Sequence, residues 1–189
     1  MTFIGAAELD IPIGHFLDLF TYVLGDFTNV SATEANFYAE ATIISDDDGK
    51  PTGETINSDT ADHFSITGFL KSGVLANLFW RSGYNAGAET GRRQFVWEID
   101  GEEGTIRLES NEMLGWFPSG CEPDVFLNGK KIEVNKLENM VDILAHGWKA
   151  FAEGTTTYAT IDDAVRIRTL IQAIDKSASE GRRIDVLYG

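Results

Sequence analysis

A chain of 189 residues has the length of one ordinary domain, and its 43% of hydrophobic residues can supply a sizeable core. The formal net charge of -15 argues against nucleic acid and anionic membranes as partners, because both require a basic surface. The sequence shows no secretory signal pattern and no apolar run of the roughly 20 residues that a membrane-spanning helix needs. With Cys121 as the one cysteine, no internal disulfide can form, and we expect a soluble, cytoplasmic protein.

The first predicted element is a helix over Ile13–Leu24, in which apolar residues recur at helical spacing and Gly25 supplies the stop. Pro12 lies just before it, at a position where its missing N–H costs no hydrogen bond. His15 and Asp18 are three residues apart inside this apolar pattern. An ionisable pair in such a setting is typical of an active site, so this helix is the first candidate for function.

The middle of the chain predicts short strands joined by tight turns. The stretch Asn29–Ser45 alternates in places and ends at Asp46–Gly53, which has the composition of a loop. Three further pairs of strands are each separated by a glycine-containing turn: His63–Leu70 with Val74–Arg81, Gln94–Ile99 with Thr105–Glu109, and Asp124–Leu127 with Lys131–Val134. Hairpins in succession indicate a largely antiparallel sheet.

Two helices are predicted after the strands, Asn135–Glu153 and Ile161–Glu180, the second of them capped by Thr160. Ile184–Leu187 could add an edge strand. This order predicts an α+β fold: a largely antiparallel mixed β-sheet with helices packed on one face, in a single domain of residues 1–189.

The sheet face away from the helices also needs a cover. Val74–Arg81 carries apolar side chains on both sides, and Val96 lies on the side opposite to Phe95 and Trp97. A sheet that is apolar on both faces is usually covered on both. We expect the second cover to be another copy of the chain, in a homodimer, with a bound ligand as the alternative.

Five stretches in chain order resemble one known family: IPIGHFLDLFTYVLGDF, SITGFLKSGVLANLFWRSG, WEIDGEEGTIRLE, FLNGKKIEV and YATIDDAVRIRTLIQAIDKSASEGRRIDV. They are similar to the C-terminal domain of the glucose–fructose oxidoreductase / inositol dehydrogenase family (Gfo/Idh/MocA), and most of all to fungal members related to the yeast galactose-pathway repressor. Together they span nearly the whole chain. The resemblance implies a substrate-binding and dimerisation domain.

The chain departs from that family in what precedes these stretches. Full members begin with a Rossmann domain that carries a G-x-G-x-x-G turn for NAD(P) and a Glu-Lys-Pro segment with the catalytic lysine, and this sequence contains neither pattern. The resemblance therefore implies that the chain starts where the nucleotide-binding domain would have ended. We expect no nicotinamide cofactor and no hydride transfer by this chain alone, because the cofactor carries that chemistry.

In the family, the segment that matches IGHFLD lies at the mouth of the active site, where a histidine acts as acid or base beside an aspartate four residues away. The alignment places His15 at the histidine position and Ile11, rather than Asp10, at the aspartate position. His15 is accordingly the first catalytic candidate, with Asp18 as the residue that could orient it. The competing structural roles are a residue at the helix start for His15 and a solvent-facing residue for Asp18.

Aromatic and basic side chains supply a candidate pocket for a flat or apolar substrate. The predicted substrate-binding residues are Tyr22, Phe79, Trp80, Arg81, Tyr84, Arg92, Phe95, Trp97 and Trp116. Core packing, dimer packing and salt bridges are the competing explanations for them. His63 and His146 lack metal-ligand spacing and Cys121 lacks a nearby basic partner, so we predict neither a metal site nor a thiol nucleophile.

Three functions remain open from the sequence. The favoured one is a cofactor-independent cyclase, isomerase or lyase of fungal secondary metabolism, pericyclic ring closure included, that reuses the substrate pocket of a truncated oxidoreductase. The second is the substrate-binding and dimerisation domain of an NAD(P)-dependent oxidoreductase. The third is a non-catalytic binding or regulatory protein.

Overall fold

The computed structural model describes residues 9–82, 93–110, 123–134, 140–155 and 158–189. The chain divides into two compact units. Met1–Gly83 and Thr160–Gly189 belong to the first unit, and Tyr84–Ala159 forms the second. A single domain over residues 1–189 stays a prediction.

The described elements follow the predicted order of a helix, many strands and two helices. A π-helical turn, Leu9–Ile13, leads directly into α1, Gly14–Leu24. The strands are β1 Phe27–Ala35, β2 Glu40–Ile44, β3 Pro51–Asn57, β4 His63–Leu70, β5 Leu75–Arg81, β6 Phe95–Gly101, β7 Gly104–Ser110, β8 Asp124–Leu127, β9 Lys130–Ile132 and β10 Ile184–Asp185. The other helices are α2 Met140–Glu153 and α3 Ile161–Glu180.

The first unit is built on a four-stranded antiparallel sheet in the order β10-β1-β4-β5. Helix α3 packs against β1 and β10 and also contacts α1. The centre of this core consists of apolar side chains with almost no exposure: Ile13, Leu17, Phe27, Val30, Ile66, Leu70, Leu170 and Ile174. The predicted α+β fold with helices on one sheet face is confirmed, and so is the edge position of the last strand.

Side chains alternate between the two faces of the β4–β5 hairpin, as a pleated sheet requires. On the inner face, towards the helices, Phe64 lies opposite Trp80 and Ile66 lies opposite Leu78. On the outer face, Phe69 lies opposite Leu75, and both side chains are exposed. The apolar character on both sides of this hairpin, predicted from the sequence, is therefore present in the structure.

The hairpin formed by β2 and β3 corrects the prediction that Asp46–Gly53 is a loop throughout. Strand β3 begins at Pro51 and pairs with β2 in a separate two-stranded sheet. Every residue of β3 is exposed, so no alternation of apolar and polar residues marks it in the sequence. Pro51 and Gly53 moreover have low strand propensity, which hides the element further.

The second unit contains an antiparallel sheet in the order β6-β7-β8-β9. One face is apolar, with Trp97 opposite Leu108 and Leu108 opposite Val125. The other face is charged, since Arg107 lies opposite Glu98 and forms an ion pair of 2.7 Å with Glu109. The expectation that this strand pair is apolar on both faces is wrong, because the neighbours of Val96 on its own face are charged.

Helix α3 has the bounds predicted for it because both of its ends carry strong local signals. Thr160 accepts a hydrogen bond from the N–H of Asp163, whose side chain accepts one from the N–H of Thr160, so the two form a capping box. Gly181 ends the helix in a left-handed conformation, with φ of 63°. For α2, residues 135–139 of the predicted helix lie outside the described part. Among the helices that the structure describes, none is long and apolar enough to cross a membrane.

Candidate functional site

His15 lies in the first turn of α1 and is exposed. The backbone beside it is held close to α3, because a Cβ atom added at Gly14 would lie 3.2 Å from Cδ1 of Ile171. Ile13 and Leu17 on either side are almost fully buried. The imidazole is thus carried by a rigid, well-packed turn, which is what positioning of an acid/base group requires.

Asp18 has a partner on another helix. Its Oδ1 accepts a hydrogen bond of 3.2 Å from the Arg166 guanidinium of α3. The same guanidinium donates to Oδ1 of Asp26 and to the Thr21 hydroxyl, both at 2.8 Å, and lies 3.6 Å from Asp163. Asp18 therefore belongs to an ion-pair network that joins α1 to α3. The prediction that it orients His15 stays a prediction.

Asp26 is the most enclosed carboxylate of this network, and a second cation reaches it. Lys71 Nζ donates to its Oδ2 at 2.8 Å and also lies 4.9 Å from the centre of the Tyr188 ring. Burial alone would raise the pKa of Asp26, but hydrogen bonds from Lys71 and Arg166 outweigh burial and lower it. Burial, together with the charge of Asp26, raises the pKa of Tyr188 to about 12.

The predicted substrate-binding residues are divided between surfaces. Phe79 and Arg81 belong to the outer face of β5, whereas Trp80 belongs to its inner face and has its ring 6.5 Å from that of Phe16. Because neighbouring strand residues point to opposite sides, Phe79 and Trp80 cannot line one concave site. Tyr22 is exposed on α1.

The remaining predicted residues belong to the second unit or lie outside the described part. Phe95 and Trp97 share the apolar face of β6 and are both half-buried. Tyr84, Arg92 and Trp116 lie outside the described residues. A substrate-binding role for all of these residues remains a prediction.

A histidine–aspartate pair that the sequence analysis did not select lies at the start of β4. His63 Nδ1 is 2.6 Å from Oδ1 of Asp62, and only 17% and 13% of the two side chains are exposed. Asp62 also accepts hydrogen bonds from the backbone N–H groups of Phe37, at 3.1 Å, and Tyr38, at 2.7 Å. Burial works to raise the pKa of Asp62, but the hydrogen bonds from His63 and these two N–H groups lower it.

Three aromatic rings surround the His63 imidazole. The Phe37 ring meets it edge-on at 4.9 Å, and the rings of Tyr38 and Phe79 lie at 6.0 and 6.3 Å. Phe37 and Phe79 remain 71% and 64% exposed, so the cluster opens onto the surface. Adjacent Asp and His in the sequence were a weak signal for this pair. The pairing of β1 with β4 brings Phe37 and Tyr38 to the Asp62–His63 pair. This pairing could not be predicted from the local sequence around either residue.

A shallow apolar groove of about 410 Å³ lies along α2 in the second unit. Its lining residues are Leu144, Gly147, Trp148, Phe151, Tyr158 and Ala159. In the described ranges, no group of three or more His, Cys, Asp or Glu side chains could hold a metal ion.

Helix α1 and strands β1 to β7 lie within the range of a known family profile. The profile described as "Gal80p, C-terminal domain" matches residues 3–110, which is more than half of the chain. The chain belongs to the Gal80p C-terminal-domain-like family. Its scaffold is of the Gfo/Idh/MocA type that the resemblance implied.

Among curated proteins, this Gal80p-like chain is 25% identical to "Dehydrogenase aclE" of Aspergillus oryzae, over 97% of its own length and 50% of that protein. The solved structure of the transcriptional regulator Gal80p from Kluyveromyces lactis matches with a TM-score of 0.76 at 20% identity, over 95% of this chain and 46% of that one. Levoglucosan dehydrogenase, in complex with NADH and L-sorbose, matches with a TM-score of 0.68 at 19% identity, over 95% and 50%. The chain thus spans about half the length of these relatives.

Proposed function

We propose that the chain is a cofactor-independent enzyme of the cyclase, isomerase or lyase class, pericyclic ring closure included, which acts on a small apolar or aromatic molecule in fungal secondary metabolism. The observation that carries this proposal is the exposed imidazole of His15 on the closely packed first turn of α1. A cytoplasmic location belongs to the same proposal.

A histidine in this position can remove a proton from a substrate C–H or O–H and return it at another atom. Such positioned proton transfer accelerates a reaction by roughly 10²–10⁴-fold, without a redox cofactor. Asp18, which is tied to Arg166, would support His15 by fixing the helix surface and by its negative charge. Of the aromatic residues predicted to bind substrate, Trp80 lies on the sheet face that α1 covers, with its ring 6.5 Å from that of Phe16, and would supply an apolar contact there.

Native mass spectrometry of the gently purified chain tests this proposal. Retention of an apolar metabolite without nucleotide supports it and supplies the compound for turnover assays. His15→Gln and Asp18→Asn should then reduce turnover, whereas His146→Gln on α2 is the control that should leave it unchanged. Unchanged turnover in both test variants would remove the roles assigned to His15 and Asp18.

A second candidate is the substrate-binding and dimerisation half of an NAD(P)-dependent oxidoreductase. The match to half the length of a dehydrogenase favours this reading. A co-purifying chain that binds NAD(P), or NAD(P) retained with this chain, would support it against the cofactor-independent enzyme.

A third candidate is a non-catalytic regulatory or binding protein, which the similarity to the Gal80p transcriptional regulator favours. Affinity capture from a fungal lysate tests it. A partner held stoichiometrically at micromolar protein supports this candidate, and the absence of any specific partner counts against it.

The homodimer predicted from the sequence is part of the proposal, with the outer face of the β4–β5 hairpin near its turn as the interface. Near the turn of this hairpin, Phe69, Val74 and Leu75 are 39%, 53% and 64% exposed. Sedimentation of wild type and Leu75→Asp tests the interface. A dimer that the substitution dissociates supports it, and a monomeric wild type rejects it.

A further inference from the structure

The pair His63–Asp62 has the geometry of a positioned base. Asp62 accepts hydrogen bonds from two backbone N–H groups, so the acceptor character of its carboxylate is fixed by the fold. His63 contributes Nδ1 to this arrangement at 2.6 Å. An imidazole that donates its Nδ1 proton to a carboxylate keeps Nε2 as an acceptor, which is the state a general base needs.

The surroundings of the imidazole favour a planar ligand. Phe37 and Phe79 approach it from the β1–β2 connection and from β5, and both rings keep most of their surface exposed. Exposed aromatic rings beside the partly exposed His63 imidazole can hold a flat molecule by offset or edge contacts. The fixed positive charge of Arg81 lies opposite His63 in the strand register, on the same outer face.

This cluster is separate from the helix that carries His15. Helix α1 packs on the inner face of the sheet, where the ring of Phe16 lies 6.5 Å from that of Trp80. His63 lies on the outer face, in the alternation position shared with Ser65 and Phe69. It is also six residues along β4 from Phe69, or roughly 20 Å at the usual rise of a strand, and thus apart from the apolar residues near the hairpin turn.

We propose that His63, Asp62, Phe37, Tyr38 and Phe79 form a second binding site, for planar molecules that carry an acidic hydroxyl group, such as phenols and enols. The O–H bond of the bound ligand breaks and an N–H bond forms at Nε2 of His63. The ligand becomes a phenolate or enolate beside an imidazolium whose Nδ1–H donates to Asp62. The proton returns by the reverse step, so no oxidant, reductant or further reactant is needed.

Binding of 4-nitrophenol tests the site, because its ionised form is yellow. At a fixed pH below that at which the free phenol ionises, wild-type protein should increase the phenolate absorbance saturably. In the NMR spectrum, the His63 ring signals should shift with the same saturation. His146→Asn is the control variant, and its phenolate absorbance should rise with added 4-nitrophenol as that of wild type does.

Two variants separate the base from the fold. His63→Asn retains a side-chain N–H in the place of Nδ1, which can still donate to Asp62, but it has no group at the place of Nε2. It should stay folded and lose the phenolate signal at least tenfold. Phe79→Leu removes one ring only and should weaken binding several-fold, as expected for one aromatic contact.

Two results would overturn the proposal. One is an equal phenolate signal from His63→Asn and wild type, which would place the binding elsewhere. The other is that 4-nitrophenol leaves the NMR signals of His63 unchanged in folded wild-type protein, whether this is a monomer or a dimer. The role of the Asp62–His63 pair would then be only to hold the backbone of residues 37 and 38 in place. Neither result bears on turnover at His15, so the two proposals fail independently.

Discussion

Arg166 on α3 forms an ion pair with Asp26, which lies between α1 and β1, with 2.8 Å between Nη1 and Oδ1. Their side chains are 22% and 19% exposed, so the pair is largely removed from solvent. The guanidinium also donates to Asp18 and to the Thr21 hydroxyl, so it connects α3 both to α1 and to the residue that precedes β1.

Loss of the Arg166 guanidinium should destabilise the first unit. We expect Arg166→Ala to lower the free energy of unfolding by about 2–3 kcal/mol, because it leaves the Asp26 carboxylate short of a partner in a half-buried site. Arg168→Ala on the same helix removes an exposed ion pair with Asp10 and should cost less than about 1 kcal/mol. Urea unfolding of both variants measures the difference, and equal losses would contradict the assignment.

The stability of the chain should fall in acid through Asp26. Its pKa in the folded chain lies below the usual value of 3.8, so the unfolded chain binds the proton first as the pH falls. The stabilisation is therefore complete well above pH 4 and is lost as the pH drops through the folded-state pKa. Asp26→Asn should lower stability at neutral pH and flatten this acid limb.

Urea unfolding between about pH 6 and pH 3 checks that dependence. Asp48→Asn, in the exposed turn before β3, is the control and should retain the slope of wild type. If the free energy of unfolding of Asp26→Asn falls as steeply in acid as that of wild type, other carboxylates cause the loss of stability.

Gly68 on β4 should tolerate no side chain. A Cβ atom there would overlap the carbonyl oxygen of Asn29 and lie 3.0 Å from Cδ1 of Phe27, where the β1–β4 register shifts. Gly68→Ala should therefore destabilise by about 1–3 kcal/mol or more. Gly147→Ala in α2 meets open space and should stabilise its helix by about 0.5–1 kcal/mol. Thermal unfolding of the two variants should shift in opposite directions.

Ser177 should contribute more stability than its size suggests. Its hydroxyl accepts a hydrogen bond of 2.9 Å from the N–H of Ala32 and donates one of 2.7 Å to the carbonyl of Arg182. Ser177→Ala leaves the partly buried N–H of Ala32 without that partner and should cost about 1–3 kcal/mol. Ser179→Ala, exposed two residues later, should change stability by less than about 0.5 kcal/mol. Similar values for both in denaturant titrations would refute this role.

Local signals in the sequence were sufficient for the elements that carry them strongly. Helix α3 has a capping box at one end and a glycine at the other, and its predicted bounds are those observed. The hairpin of β4 and β5 follows its glycine turn, with the second strand beginning one residue later than predicted. Strand β3 was missed because all its residues are exposed, so its sequence shows no alternation of apolar and polar residues.

The candidate sites were harder to predict, since they depend on partners far away in the sequence. His15 was selected from its place in an apolar helical pattern and from the family resemblance, whereas the partner of Asp18 lies 148 residues away on α3. The Asp62–His63 pair derives its setting from Phe37 and Tyr38, which reach it through strand pairing. Hydrophobic periodicity describes which face is buried, and it carries no information about such long-range polar contacts.

The hydrogen bond between Ala32 and Ser177, 145 residues apart, has a consequence for folding during synthesis. The inner face of β1 and β4 is translated long before α3, its main cover, leaves the ribosome. The hairpins of the second unit close over short loops and can form meanwhile, whereas the first unit must wait for a long chain closure. Nascent chains arrested before residue 161 should accordingly be sensitive to protease in residues 27–70, and this is the stage at which a chaperone would protect the exposed strands from aggregation.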